Sequence, residues 1–331
     1  MNNSLNEISS ALKKSSRVLL CGHVVPDGDC LGSVAALGMI LEGMGKKVVM
    51  ASPDSLPESL LFLPGADRFV TGINSDSLIG ADFDAFVILD CSVPERLGYF
   101  KRYIKEELVI INIDHHRNSS SFADFNYLDP NAAATGEILI DLIETMGEVI
   151  NRDVATCLYT AIVTDTGSFQ YENTSPETLR KAAGLMETGI PAARINVMLY
   201  EEKPLQNIQI LAATLERMRI SACGKVAWAV VERELLERFS AGVEHTDGLI
   251  NFLRTIKGVE VAIIVREMES GKYKVSFRSK GDIDVHRLAS KFGGGGHIRA
   301  SGCVLNGSLE QITEMIVKEA VREVKEKGLC R

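Results

Sequence analysis

"ELVIINIDHH" at residues 107–116 decides how this chain is read. Its apolar, β-branched run has the composition of a strand buried on both faces, the habit of parallel sheets covered by helices. The run stops abruptly at Asp114, His115 and His116. Two other short runs have the same shape. "RVLLCG" at 17–22 leads into "HVVPDGD", which carries His23, Asp27 and Asp29, and "DAFVILD" at 84–90 ends at Asp90. "TAIVTDTGSF" closes a predicted helix over 152–164 with Asp165.

Around these runs, helical patterns over 5–14, 31–45, 132–146 and 176–188 alternate with strands. Alternation of this kind predicts an α/β fold, with an N-terminal, mainly parallel sheet flanked by helices. The second half changes character. "GKVAWAVVE", "GVEVAIIVRE" and "GKYKVSFRSK" read as strands, followed by a helix near 284–292 and a terminal helix over 308–327. That predicts a second, smaller α/β domain with a mixed sheet. The stretch between has Gly189, Pro191 and Pro204 and weak strand character. It is expected to be a linker over 189–206, between domains at 1–188 and 207–331.

The chain has 331 residues, 46% hydrophobic and 24% charged, with a net charge of −8. Such a balance excludes a basic coat that grips long duplex nucleic acid through many phosphates. It leaves room for a small site that binds phosphate with metal ions. Seven cysteines without a CxxC pair suggest reduced core thiols. The N-terminus does not read as a signal peptide, and no run approaches the roughly 18 apolar residues that cross a bilayer. The expectation is a cytoplasmic protein with no membrane partner.

In open α/β sheets, ligands gather at the carboxyl ends of the strands. The scattered acids and histidines could therefore converge. Crowded carboxylates repel one another and are costly to desolvate, and divalent cations remove that cost. Oxygen and imidazole ligands without thiolate suit Mn²⁺ or Mg²⁺ better than structural zinc. Taken singly, each acid also reads as a turn former or helix N-cap, and Asp27-Gly28-Asp29 reads as a curled loop. Taken together and in this order, they read as a metal centre. Near the C-terminus, "KFGGGGHIRASG" at 291–302 has four consecutive glycines. The amides around Gly294, Gly295 and Gly296 are expected to form an anion-binding nest, with His297 adding a hydrogen bond. Arg278, ahead of Lys280 at a strand end, could clamp a phosphate. The plainer alternative is a flexible loop beside a solvated strand end.

"HVVPDGD", "VILDCS", "DHH", "TDTGSF" and "GGGGHIRASG" together resemble the DHH phosphoesterase superfamily, and more closely its two-domain oligoribonuclease and pAp-phosphatase (NrnA-type) group. The resemblance covers nearly the whole chain. It implies a catalytic domain followed by a DHH-associated, substrate-binding domain, and two divalent cations, Mn²⁺ preferred and Mg²⁺ an option. By the same resemblance, one ion is held by His23, Asp27 and Asp90 and the other by Asp29, Asp90, His115 and Asp165. Asp114 would buttress the site, and His116 would sit near the scissile phosphate. The implied reaction is hydrolysis of di- to pentanucleotides or linear pApA to mononucleotides, with 3′-phosphoadenosine 5′-phosphate as a further substrate. The expected partner is a short single-stranded oligonucleotide or nucleotide, with a homodimer left open. A stand-alone cyclic-di-AMP phosphodiesterase is the alternative within the superfamily. A catalytically silent nucleotide- or RNA-binding regulator is the alternative outside it.

Overall fold

The computed structural model describes residues 2–72, 74, 78, 80–246 and 248–329. The chain divides into two compact units, Met1–Glu202 and Lys203–Arg331. The first is built on six strands: β1 (Arg17–Cys21), β2 (Lys47–Ser52), β3 (Val70–Thr71), β4 (Ala85–Leu89), β5 (Val109–Asp114) and β6 (Phe125–Leu128). Their order is β3-β2-β1-β4-β5-β6. Every neighbouring pair is parallel. Alternate residues of β1 serve opposite faces. Val18 and Leu20 pack under the α-helices, while Leu19 and Cys21 join Phe86, Ile88 and Phe100 on the other side. A sheet covered on both faces needs the unbroken apolar runs seen in β1 and β4.

The helices of this unit are α1 (Leu5–Lys14), α2 (Gly28–Gly43), α3 (Thr135–Met146), α4 (Arg152–Asp165), α5 (Pro176–Glu187) and α6 (Ala192–Asn196). A capping box between Ser4 and Glu7 starts α1. Glycines bring the backbone of α4 close to its neighbours. A Cβ on Gly32 would lie 2.5 Å from the Cys157 carbonyl oxygen, and one on Gly136 would lie 2.5 Å from the Ala161 Cβ. The stretch expected to have weak strand character is helical instead. After Pro191, α6 runs into a π-helical turn over Val197–Glu201. The buried residues Ile195 and Leu199 are spaced i, i+4, a helical period that outweighs the flanking prolines.

The second unit has β7 (Arg219–Ile220), β8 (Val226–Val231), β9 (Val261–Glu269), β10 (Lys272–Ser279), β11 (Gly295–His297) and β12 (Ala300–Asn306). Its sheet order is β11-β12-β10-β9-β8-β7, with β8 and β9 parallel and the other pairs antiparallel. α7 (Leu205–Glu216), α8 (Arg233–Arg238) and α9 (Leu249–Thr255) cover one face, and α10 (Val285–Ser290) and α11 (Leu309–Glu326) cover the other. Among the described residues, no helix is long and apolar enough to cross a membrane. Cys21, Cys30, Cys91, Cys157 and Cys303 are free and buried. Cys223 departs from the expected reduced set and is disulfide-bonded.

Candidate metal centre

Chain connections leave β1 toward β2 on one side of the sheet, while β4 lies on the other side. This reversal of direction opens a crevice at the carboxyl ends of β1 and β4, where doubly wound folds place their ligands. His23 and Asp27 follow β1, Asp90 follows β4, and β5 ends on Asp114 just before His115 and His116. Asp165 arrives from the other layer, as the last residue of α4. Glycine makes that approach possible at Gly28, where a Cβ would lie 2.5 Å from the Thr164 side chain. Asp27 and Asp29 are not in a curled loop as expected. Asp27 is the N-cap of α2 and accepts from Cys30 N at 3.0 Å, and Asp29 sits in the helix's first turn. The aspartate's capping preference overrides the turn reading of Asp-Gly-Asp.

Three sets of ligand atoms lie within 4.8 Å of one another: His23, Asp27 and Asp90; Asp29, His115 and Asp165; and Asp90, His115 and His116. His23 Nε2 is 3.2 Å from Asp90 Oδ2 and 3.8 Å from Asp27 Oδ2. His115 Nε2 is 3.3 Å from Asp165 Oδ2 and 3.6 Å from both Asp29 Oδ2 and Asp90 Oδ1. In each ring the other nitrogen is engaged. His23 Nδ1 donates to the Val24 carbonyl at 2.8 Å, and His115 Nδ1 donates to the Ala132 carbonyl at 3.2 Å. Such bonds fix the ring orientation and point Nε2 into the carboxylate cluster, the arrangement that metal-binding histidines use.

Electrostatics fits the same ligand set. Burial, then the charges of Asp29 and Asp27, pushes Asp90 well above the usual carboxylate range. Burial also raises Asp29, and together with the Asp29 charge it raises Asp165 to about 7. Burial pulls His115 down, but Asp29, Asp90 and Asp165 carry it up to about 9. The proton held on an imidazole among crowded carboxylates is what a divalent cation would displace. The nearby thiols stay protonated. Burial pushes Cys91 to about 12 and holds Cys30 well above its ordinary value, so neither offers a thiolate. Carboxylate oxygen and imidazole nitrogen are thus the donors, a set that fits hard to borderline divalent ions.

Residues 17–162 match the DHH family, N-terminal domain, and residues 224–326 match the DHHA1 domain. The bifunctional oligoribonuclease and PAP phosphatase NrnA of Thermus thermophilus is 33% identical, over 92% of this chain and 89% of its own. The chain belongs to the DHH family. The protein of that same name from Bacillus subtilis is 29% identical to this DHH chain, over 89% of it and 91% of its own length. A crystal structure of an exopolyphosphatase-related protein from Bacteroides fragilis superposes with a TM-score of 0.90 at 25% identity, covering 97% of this chain and 95% of the other.

The two adjacent histidines of this DHH protein have different surroundings. His115 faces Asp29, Asp90 and Asp165, whereas His116 Nδ1 donates to Asp114 Oδ1 at 2.6 Å and lies 3.4 Å from Asp90 Oδ1. Burial would raise Asp114, but hydrogen bonding from His116 and its charge keep it below the usual carboxylate range. The sequence reading missed the residues that hold the carboxylates. α3 starts at Thr135 with no side-chain cap, and its first amides turn to Asp29 instead. Thr135 N donates to Asp29 Oδ2 at 2.7 Å and Gly136 N to Asp29 Oδ1 at 2.9 Å, while Ser33 Oγ adds a bond at 3.1 Å. The helix start thereby supplies positive potential to a buried acid. Thr135 Oγ1 also donates to Asp90 Oδ1 at 3.3 Å. The available signal was "AAATGE", a predicted helix that starts without a good cap.

The C-terminal motif differs from the expected nest. Gly295 and Gly296 lie in edge strand β11, paired with Gly302 and Ser301 of β12. A Cβ on Gly294 would fall 2.2 Å from the Gly302 carbonyl oxygen, so close approach of two backbones demands glycine there. Arg278 and His297 share one row of the sheet, both paired with Ala300 from opposite sides. The His297 side chain lies outside what the structure describes. Arg278 Nη1 donates to the Phe277 carbonyl at 3.1 Å.

Proposed function

We propose that the chain is a phosphodiesterase dependent on divalent metal, Mn²⁺ or Mg²⁺, that hydrolyses short oligonucleotides to mononucleotides and 3′-phosphoadenosine 5′-phosphate to AMP. The observation that carries this reading is Asp90, a buried carboxylate whose two oxygens face different imidazoles. Oδ2 lies toward His23, and Oδ1 lies toward His115 and His116. A carboxylate so placed suits a bridge between two ions. His23, Asp27 and Asp90 would hold one ion, and Asp29, Asp90, His115 and Asp165 the other. Bound there, divalent cations supply Lewis acidity toward water and toward the phosphoryl oxygens.

The chain's own groups do the rest. Asp114, fully buried, accepts from His116 Nδ1 and so steadies the doubly protonated ring, whose Nε2 proton would pass to the departing oxygen and leave a neutral imidazole. Thr135, Gly136 and Ser33 keep Asp29 aimed at the crevice. In the second unit, Arg278, the Gly294–Gly296 backbone and His297 are the groups proposed to hold the substrate. The substrate assignment follows the names of the two relatives, both bifunctional oligoribonucleases and PAP phosphatases.

The test is a panel of pAp, linear pApA, cyclic di-AMP and a 5-mer RNA with the purified protein and Mn²⁺ or Mg²⁺, read by product chromatography. Release of AMP from pAp and mononucleotides from pApA is the expected result. Hydrolysis of cyclic di-AMP alone would move the assignment to the cyclic-dinucleotide alternative. No turnover of any substrate with either ion would end the hydrolase reading.

A further inference from the structure

Immediately after Asp165 the backbone does something costly. Gly167, Ser168 and Phe169 follow one another with φ of 55°, 58° and 65°. Left-handed conformation is cheap for glycine but costs on the order of 1–2 kcal/mol for most other residues. Neighbours hold the run in place. Thr166 Oγ1 accepts from Phe169 N at 3.1 Å, Ser168 Oγ bonds Asn196 Oδ1 at 3.3 Å, and the Phe169 ring packs edge-on to Tyr159. Strain that is over-determined in this way marks functional segments.

Its result is the placement of Tyr171. The turn folds the chain back so that the Tyr171 ring lies on the bare backbone of Gly167. A Cβ there would fall 2.3–2.6 Å from three consecutive ring atoms. The ring is backed by glycine, yet the residue remains 46% exposed. Tyr200, on the π-helical turn, is 43% exposed and donates its hydroxyl to the Val163 carbonyl at 3.1 Å. Burial pushes the Tyr200 hydroxyl up to about 12, and Tyr171 and Asp165 are among the neighbours whose charge adds to that rise. Tyr200 thus lies within electrostatic reach of Tyr171 and of the acid that ends α4.

We propose that Tyr171, flanked by Tyr200, is a stacking platform for a nucleobase of the oligonucleotide substrate. The inference rests on the proposed function for the presence of that substrate. A flat ring backed by glycine, on a residue 46% exposed, can meet the π-face common to all bases, so it favours nucleotides without selecting their sequence. Aromatic residues exposed for packing alone would not need the left-handed run that seats Tyr171 over Gly167.

The test compares linear pApA with an analogue of the same backbone that lacks both bases, in wild type, Tyr171→Leu and Tyr171→Phe. The expected result is a fall of about tenfold in the ratio of kcat/KM for pApA over the base-free analogue in Tyr171→Leu, carried by KM, with Tyr171→Phe close to wild type. Binding is read separately from turnover, by quenching of a 2-aminopurine dinucleotide with Ca²⁺ in place of Mn²⁺. Quenching that needs an aromatic ring at 171 supports the platform even where no hydrolysis is found, an outcome that would sink only the proposed function. A ratio and a quench unchanged in a folded Tyr171→Leu overturn the platform and leave the proposed function standing.

Discussion

Asp165→Asn separates a metal centre from an ordinary polar cluster, because its effect on stability reverses when the ion is added. In the ion-free protein, Asp165 has a pKa of about 7. An ordinary aspartate titrates near 3.9. The folded state therefore holds this proton longer than the unfolded chain does. Stability is lost as pH rises from about 4 through about 7, and the full penalty applies above that. A rise of about three units corresponds to about 4 kcal/mol at 1.36 kcal/mol per unit. The side chain is 31% exposed, so solvent screening reduces this to about 2 kcal/mol. Asparagine mimics the protonated acid and escapes the penalty. At pH 8 without metal, Asp165→Asn should raise Tm by about 4–8 °C, using the usual 2–4 °C per kcal/mol for a unit of this size. The gain should shrink below pH 7 and vanish near pH 4. With saturating Mn²⁺ the order should invert, since wild type gains RT ln(1 + [L]/Kd) and the variant has lost a ligand. Scanning calorimetry at pH 5 and pH 8, with EDTA and with Mn²⁺, reads all four conditions. A variant less stable than wild type without metal at pH 8, or one stabilised equally by Mn²⁺, refutes the reasoning.

Thr135→Val keeps the amide that holds Asp29 but removes the hydroxyl on Asp90. It should weaken Mn²⁺ binding about tenfold by titration calorimetry, with Thr135→Ser restoring it. His116→Ala should lower kcat by about 10²–10⁴ while calorimetry still finds both ions bound, because His116 is assigned to the proton and not to the metal. Gly32→Val puts side-chain atoms against the Cys157 carbonyl, forces α2 and α4 apart, and should cost about 1–3 kcal/mol in urea unfolding.

The strands and acids of the first unit were legible because two physical rules coincide there. Strands buried on both faces need unbroken apolar runs, and ligand residues must follow such runs directly. Asp90, His115 and Asp165 stand out for that reason. Thr135 did not, because a small polar residue at a helix start is common and its partner, Asp29, is more than a hundred residues away in sequence. The local geometry of the glycine run was not legible for a related reason. A nest and a close backbone crossing both call for missing side chains, and only the pairing of β11 with β12 tells them apart. The π-helical turn after α6 was hidden by prolines at both ends of its stretch.

Two departures from local backbone rules bear on how the centre works. Asp90 has φ of 56°, a left-handed conformation in a buried residue that also carries a suppressed charge. The run at 167–169 repeats the pattern directly after Asp165. In both places the chain accepts backbone strain next to a carboxylate that like charges already destabilise. Sequences that violate local preferences do so where function demands it. A fold optimised for stability alone would relieve both, with glycine or asparagine at 90 and a regular helix end after 165. The coincidence of strain and repulsion at Asp90, and within four residues of Asp165, argues that a bound cation belongs to the state in which this fold works, offsetting the charge repulsion on binding.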